Sequence, residues 1–125
     1  MAKVLIMGAG PAGISAALYA RRGGAEVTVV TKGIGTGGLA KAEKIENYYG
    51  LAEPVTGLEL EQRGIDGALR LGVELIEDEL LELSFNDTFT GFKAATKQNQ
   101  LAADSVILAA GASRRSLRIP GIAEF

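Results

Sequence analysis

The apolar run Lys3-Val4-Leu5-Ile6-Met7 leads directly into Gly8-Ala9-Gly10-Pro11-Ala12-Gly13, an order that reads as a strand feeding a glycine-rich turn able to cradle a dinucleotide phosphate. Gly8 would allow the tight turn, Gly10 would let the backbone approach a pyrophosphate, and Gly13 would let helix and strand pack closely. The first N–H groups of a helix have no partner inside it, and the aligned peptide dipoles make that end positive, so a phosphate is a favourable guest there. The glycine pattern alone is weak, and its setting gives it weight. Pro11 suits the first helical turn, Ile14, Ala17 and Leu18 share one helical face, and Arg21 and Arg22 precede the stop at Gly23-Gly24. A second strand at Glu26 to Val30 completes a βαβ unit within about 30 residues. Gly8, Gly10, Pro11, Ala12 and Gly13 are therefore candidate phosphate-binding positions, and the chain reads as an α/β protein.

Composition narrows the chemistry. The 125 residues suit one domain, with 13 Lys and Arg against 15 Asp and Glu, a net charge of −2 and no basic concentration beyond Arg114, Arg115 and Arg118. Nucleic acid is not an expected partner. No apolar stretch approaches the ~20 residues of a membrane helix and no cationic leader is visible, so no membrane partner is expected and the chain reads as cytoplasmic. Cysteine and histidine are both absent, which removes thiolate chemistry and every sulfur-ligated metal site. No carboxylates, lysines or hydroxyls stand in a catalytic spacing. No catalytic or metal-binding residue is assigned, and the chemistry is expected to belong to a bound cofactor.

The remaining elements follow in order. Glycines at 33, 35, 37, 38, 50 and 57 with Pro54 point to a long ordered loop, a feature uncommon in compact domains unless it is functional. Thr56-Gly57-Leu58-Glu59 has capping-box spacing and predicts a helix ending at Gly72, with Leu58, Ile65, Ala68 and Leu69 as its buried face and a Glu59–Arg63 pair across one turn. Val73 to Glu77 reads as a short strand, and Leu81, Leu83 and Phe85 alternate with polar residues as a half-buried strand does. Asn86-Asp87 marks a turn, Phe89 to Thr96 and Leu101 to Ala103 supply the other arms of an antiparallel meander, and Ser105 to Ala109 is a last strand. The acidic residues Glu74, Glu77, Asp78, Glu79 and Glu82 read as a solvated face.

Taken together these segments resemble the thioredoxin reductase-like flavoproteins of the pyridine nucleotide-disulfide oxidoreductase superfamily. The resemblance is carried by Gly8 to Gly13 with the helix Ile14 to Arg22, by Gly37-Gly38, by Ile45-Glu46-Asn47-Tyr48-Tyr49-Gly50, and by Val106 to Ala112 leading to Ile119-Pro120-Gly121. It implies a Rossmann-like FAD-binding domain: a three-layer ββα sandwich of parallel sheet, flanking helices and a small antiparallel β-meander. Residues 1–125 would form the first segment of that flavin domain, with the pyridine nucleotide domain absent. By the same resemblance Gly8 to Gly13 hold the FAD pyrophosphate, Gly37, Gly38 and Asn47 lie along the flavin half, Ala110 and Gly111 pass close to the nucleotide, and the strand edge near Leu80 meets the adenine. NAD(P)H would reduce the flavin of the complete protein and a disulfide or similar acceptor would take the electrons. A homodimer stays open, and this chain alone would lack full activity.

The sequence departs from the family pattern in places that matter. Thr31-Lys32 stands where many relatives carry an acidic residue for the adenosine ribose, and Lys32 suits a 2′-phosphate, which keeps NADP open as a ligand of the same turn. Leu39 follows the glycine pair where a glutamine commonly reaches the flavin, and Tyr49 replaces a proline before Gly50. A reading of another class therefore stands beside the flavoprotein one: a non-catalytic NAD(P)- or nucleotide-binding module that needs a partner chain or a missing domain to complete a site.

Overall fold

The computed structural model describes residues 1–33 and 35–111; the expected motif Ile119-Pro120-Gly121 and the basic residues Arg114, Arg115 and Arg118 lie outside them. Strand β1 (Lys3–Met7) passes through helix α1 (Pro11–Arg22) to β2 (Glu26–Thr31), the expected βαβ unit with its second strand one residue longer. The loop that follows contains a 3-10 turn at Leu39–Lys41 and an isolated antiparallel bridge, Ile45 with Val55. Helix α2 (Gly57–Arg70) then leads to β3 (Glu74–Glu77), the meander β4 (Leu80–Phe85), β5 (Phe92–Thr96) and β6 (Gln100–Ala103), and finally β7 (Ser105–Leu108).

Strands β3, β2, β1 and β7 form a parallel sheet in that order, and β4, β5 and β6 a second, antiparallel one. Side chains alternate between the two faces of a strand, and the apolar residues of β1 and β2 divide accordingly. Ile6, Val27 and Val29 pack with Ile14 and Ala17 of α1 and with Ile65 and Ala68 of α2. Leu5, Met7 and Val30 pack with Leu80, Leu83, Ala94 and Ala103 of the meander. Because helices cover one face and the meander the other, the parallel sheet is the middle layer, as the ββα reading requires.

Several local expectations are corrected. The buried stripe of α2 is Gly57, Glu61, Ile65 and Ala68, whereas Leu58 and Leu69 are about half exposed; each lies one residue, 100° of helix, off that stripe. Thr56 Oγ1 does accept the Glu59 N–H at 3.1 Å. Across the next turn Gln62 donates to Asp66 at 2.8 Å, and Glu59 and Arg63 form no ion pair. Phe89, expected in a strand, sits in the β4–β5 turn with φ +56°, where Asn86 accepts the Thr90 N–H through its side chain. The acidic face is not uniformly solvated either, because Asp78 is buried and Glu74 accepts from Thr28 Oγ1 at 2.9 Å.

Candidate functional site

At the carboxyl end of the parallel sheet, Leu108, Met7, Val30 and Ile76 stand in register across four strands. The backbone just beyond this row is pinned three times at 2.8 Å: Gly8 N–H donates to Val30 O, Ala109 N–H to Met7 O, and Asp78 N–H to Thr31 O. The loops that leave this edge therefore start from fixed points. Ligands of open α/β sheets bind at this kind of edge.

The glycine turn sits at its centre. Gly8 has φ +116°, and a Cβ there would collide with the Ala109 carbonyl and crowd Ala110. At Gly13 a Cβ would drive into the Gly8 carbonyl, so the first turn of α1 rests on the turn before it. Gly10 differs from both: its backbone is extended, with φ −75° and ψ −173°, and nothing lies within 4 Å of the place a Cβ would occupy. It caps α1 without any side-chain hydrogen bond, and no acidic residue stands in the first turn. Pro11 and Ala12 follow on the exposed surface of that turn. The amino end of α1 thus offers free N–H groups and partial positive charge beside open ground.

Thr31 ends β2, buried, and its Oγ1 accepts the Gly33 N–H at 3.2 Å; Lys32 is exposed. Thr36 Oγ1 donates to Gly33 O at 2.7 Å, and the Gly35 N–H donates to Glu61 Oε1 at 2.9 Å. Glu61 is buried on α2, so one helical carboxylate holds the glycine loop from below. A Cβ on Gly57 would strike the Leu39 carbonyl, which fits the amino end of α2 closely against the 3-10 turn. Gly37, Gly38 and Asn47 are exposed along this loop, and Leu39 is half-buried.

The structure therefore brings Gly8, Gly10, Pro11, Ala12, Gly13, Ala110 and Thr31 to one sheet edge, with Gly111 continuing from Ala110 in a left-handed conformation, φ +75°. The Leu80 side chain belongs to the core between sheet and meander. Sequence reasoning missed Glu61, whose signal was a carboxylate inside the apolar stripe Gly57, Ile65, Ala68. It also missed Asp78. The Thr96 hydroxyl, then the Asn99 amide and the backbone N–H groups of Glu79 and Gln98, hold the Asp78 carboxyl below the usual carboxylate range against the opposing effect of burial. Among the described residues no cluster of acidic side chains could hold a metal ion, and no helix is long and apolar enough to cross a membrane.

A family model described as pyridine nucleotide-disulphide oxidoreductase matches residues 2–125. The chain is 36% identical over 122 residues to the thioredoxin reductase of Ureaplasma parvum serovar 3, a match covering 98% of this chain and 38% of that protein. Among solved structures it is similar to a thioredoxin reductase from Gloeobacter violaceus, with a TM-score of 0.84, 31% identity and coverage of 98% of this chain and 41% of that one. It is similar also to the atypical thioredoxin reductase TRi from Desulfovibrio vulgaris Hildenborough, with a TM-score of 0.81, 38% identity and coverage of 100% and 41%. The chain spans about two fifths of the length of these relatives. With the parallel sheet, its helices and the meander all matched, the chain belongs to the pyridine nucleotide-disulphide oxidoreductase family and is thioredoxin reductase-like.

Proposed function

We propose that this chain binds the ADP half of FAD at the glycine turn, as part of a flavoprotein that moves electrons from NAD(P)H to a disulfide or similar acceptor. The observation that carries the reading is Gly10. The fold itself accounts for Gly8 and Gly13, because a side chain at either would collide with backbone. It gives no reason for glycine at position 10, where the backbone suits any residue and the space is open. A glycine free of internal contacts, directly before the uncapped end of α1, fits a phosphate lying against the backbone.

In this reading Gly10, Pro11, Ala12 and Gly13 present the helix end to the pyrophosphate, and Ala110 and Gly111 close the turn from the neighbouring strand. Gly37, Gly38, Leu39 and Asn47 extend toward the flavin half on a loop that Glu61 steadies. Bound flavin would supply the two-electron chemistry that the side chains lack, since the sequence holds neither cysteine nor histidine. The protein's share is placement of the cofactor.

A second reading has one observation in its favour. Ile107 and Leu108 of β7 are 38% and 47% exposed at the sheet edge, a surface that another polypeptide segment would cover, in keeping with a nucleotide module completed by a partner. An absorbance spectrum of the purified protein, with mass analysis of the ligand released by heating, separates the two. Flavin bands and the mass of FAD support the flavoprotein reading; a colourless chain that takes up NADP and not FAD overturns it.

A further inference from the structure

The residue type expected at the end of β2 is missing from β2 but present one strand away. Thr31 and Glu77 are register partners, so their side chains leave the sheet on the same face. That face is the one α1 covers, because Val29 and Leu75, two residues earlier on each strand, pack against the helix cluster. The Glu77 carboxylate leans back over the end of β2: its Oε1 lies 3.0 Å from where a Cβ on Gly33 would stand. Gly33 is buried with φ +134°, so the chain passes beneath the carboxylate where a side chain would have displaced it. Glu77 is exposed, and its side chain forms no hydrogen bond or ion pair with any described residue. The other carboxylate of this loop, on Glu61, is already engaged by Gly35.

We propose that Glu77 supplies, from β3, the carboxylate that accepts the adenosine ribose hydroxyls, making the glycine turn a site for an unphosphorylated adenosine ribose, as in FAD, and closing it to a 2′-phosphate. The proposal rests on the dinucleotide reading of the glycine turn. By strand spacing, the end of β3 is about 10 Å from the end of β1, and the side chain shortens this by reaching over β2. A carboxylate accepts two ribose hydroxyls but repels a phosphate at the same place. The adjacent Lys32, which in sequence favours NADP, is exposed and free to turn outward.

The test is calorimetric titration of the purified chain with FAD, ADP-ribose and 2′-phospho-ADP-ribose, alongside Glu77→Gln. The wild type is expected to favour ADP-ribose over its 2′-phosphate by roughly tenfold or more, and Glu77→Gln to weaken ADP-ribose by roughly tenfold while the 2′-phosphate gains. Thermal melting of Glu77→Gln should match the wild type, as expected of a side chain with no internal bond. Equal wild-type affinity for the two probes, or an unchanged preference in Glu77→Gln, overturns the role of Glu77 and leaves the dinucleotide reading standing. A folded wild type that binds neither FAD nor ADP-ribose overturns that reading and this inference together.

Discussion

Thr96 Oγ1 donates a 2.6 Å hydrogen bond to the buried carboxylate of Asp78, and this bond fastens the meander to the edge of the parallel sheet. The same oxygen of Asp78 accepts from Asn99 Nδ2 at 2.9 Å, and its other oxygen accepts the Glu79 N–H at 2.7 Å. The Asp78 N–H in turn donates to Thr31 O. A single residue thus links the end of β2, the crossing from β3 to β4 and the β5–β6 turn, close to the proposed ribose position.

That clasp has a pH signature. The folded Asp78 carboxyl lies below its usual value, so its contribution to stability is full above the unfolded carboxylate pKa, about 3.9. It is lost as pH falls through the lower folded value. Melting midpoints of wild type and Asp78→Asn, followed by circular dichroism from neutral pH downward, should differ most above about pH 5, and the difference should shrink as pH falls below the unfolded carboxylate value. A gap that stays constant through the acid range would exclude the clasp as its source.

Gly13→Ala should cost far more than Gly10→Ala. Its Cβ would press on the Gly8 carbonyl, which cannot rotate away as a side chain could, so a loss of about 3 kcal/mol is expected in urea unfolding. Gly10→Ala meets open space and should cost about 1 kcal/mol, the ordinary penalty for alanine at a helix N-cap. Equal losses at the two positions would show that Gly13 is not a packing contact.

Glu61→Ala should loosen the glycine loop. It removes the acceptor of the Gly35 N–H from a buried position, at a cost of about 2 kcal/mol, and amide exchange at Gly35 should speed up relative to that in β1. Glu61→Gln keeps an acceptor oxygen and should show a smaller effect on both. Unchanged exchange at Gly35 in Glu61→Ala would mean the loop is held by other contacts.

The parts of the fold legible in the sequence were those in which local chemistry and burial agree. Lys3 to Met7, Pro11, Ile14, Ala17 and Gly23 each satisfy a strand, a helix start, a buried face or a stop on their own, and the βαβ unit follows from them. Ile65 and Ala68 of the α2 face were read correctly, but Leu58 and Leu69 were added to it as large apolar residues, whereas the close fit of Gly57 against the 3-10 turn sets the helix's rotation and puts Glu61 inside. Asp78 and Glu77 were hidden for a related reason. In sequence they belong to one acidic run, and only strand register separates a carboxylate buried by Thr96 and Asn99 from one that stands open above Gly33. Such distinctions depend on partners that are distant along the chain.

Gly10→Val tests the cofactor site most directly. The extended backbone at Gly10 is one that a β-branched residue adopts readily, and its side chain would enter open space, so the fold should survive with about 1 kcal/mol lost from the helix N-cap. The valine methyls would then occupy the ground in front of the free N–H groups of α1, keeping phosphate oxygens beyond hydrogen-bond distance. Losing two charge-assisted bonds corresponds to a fall of roughly 100-fold or more in affinity for FAD. Flavin fluorescence quenching measures the affinity, and far-UV circular dichroism establishes that the variant is folded. A folded Gly10→Val chain that binds FAD as tightly as the wild type would move the pyrophosphate away from this turn.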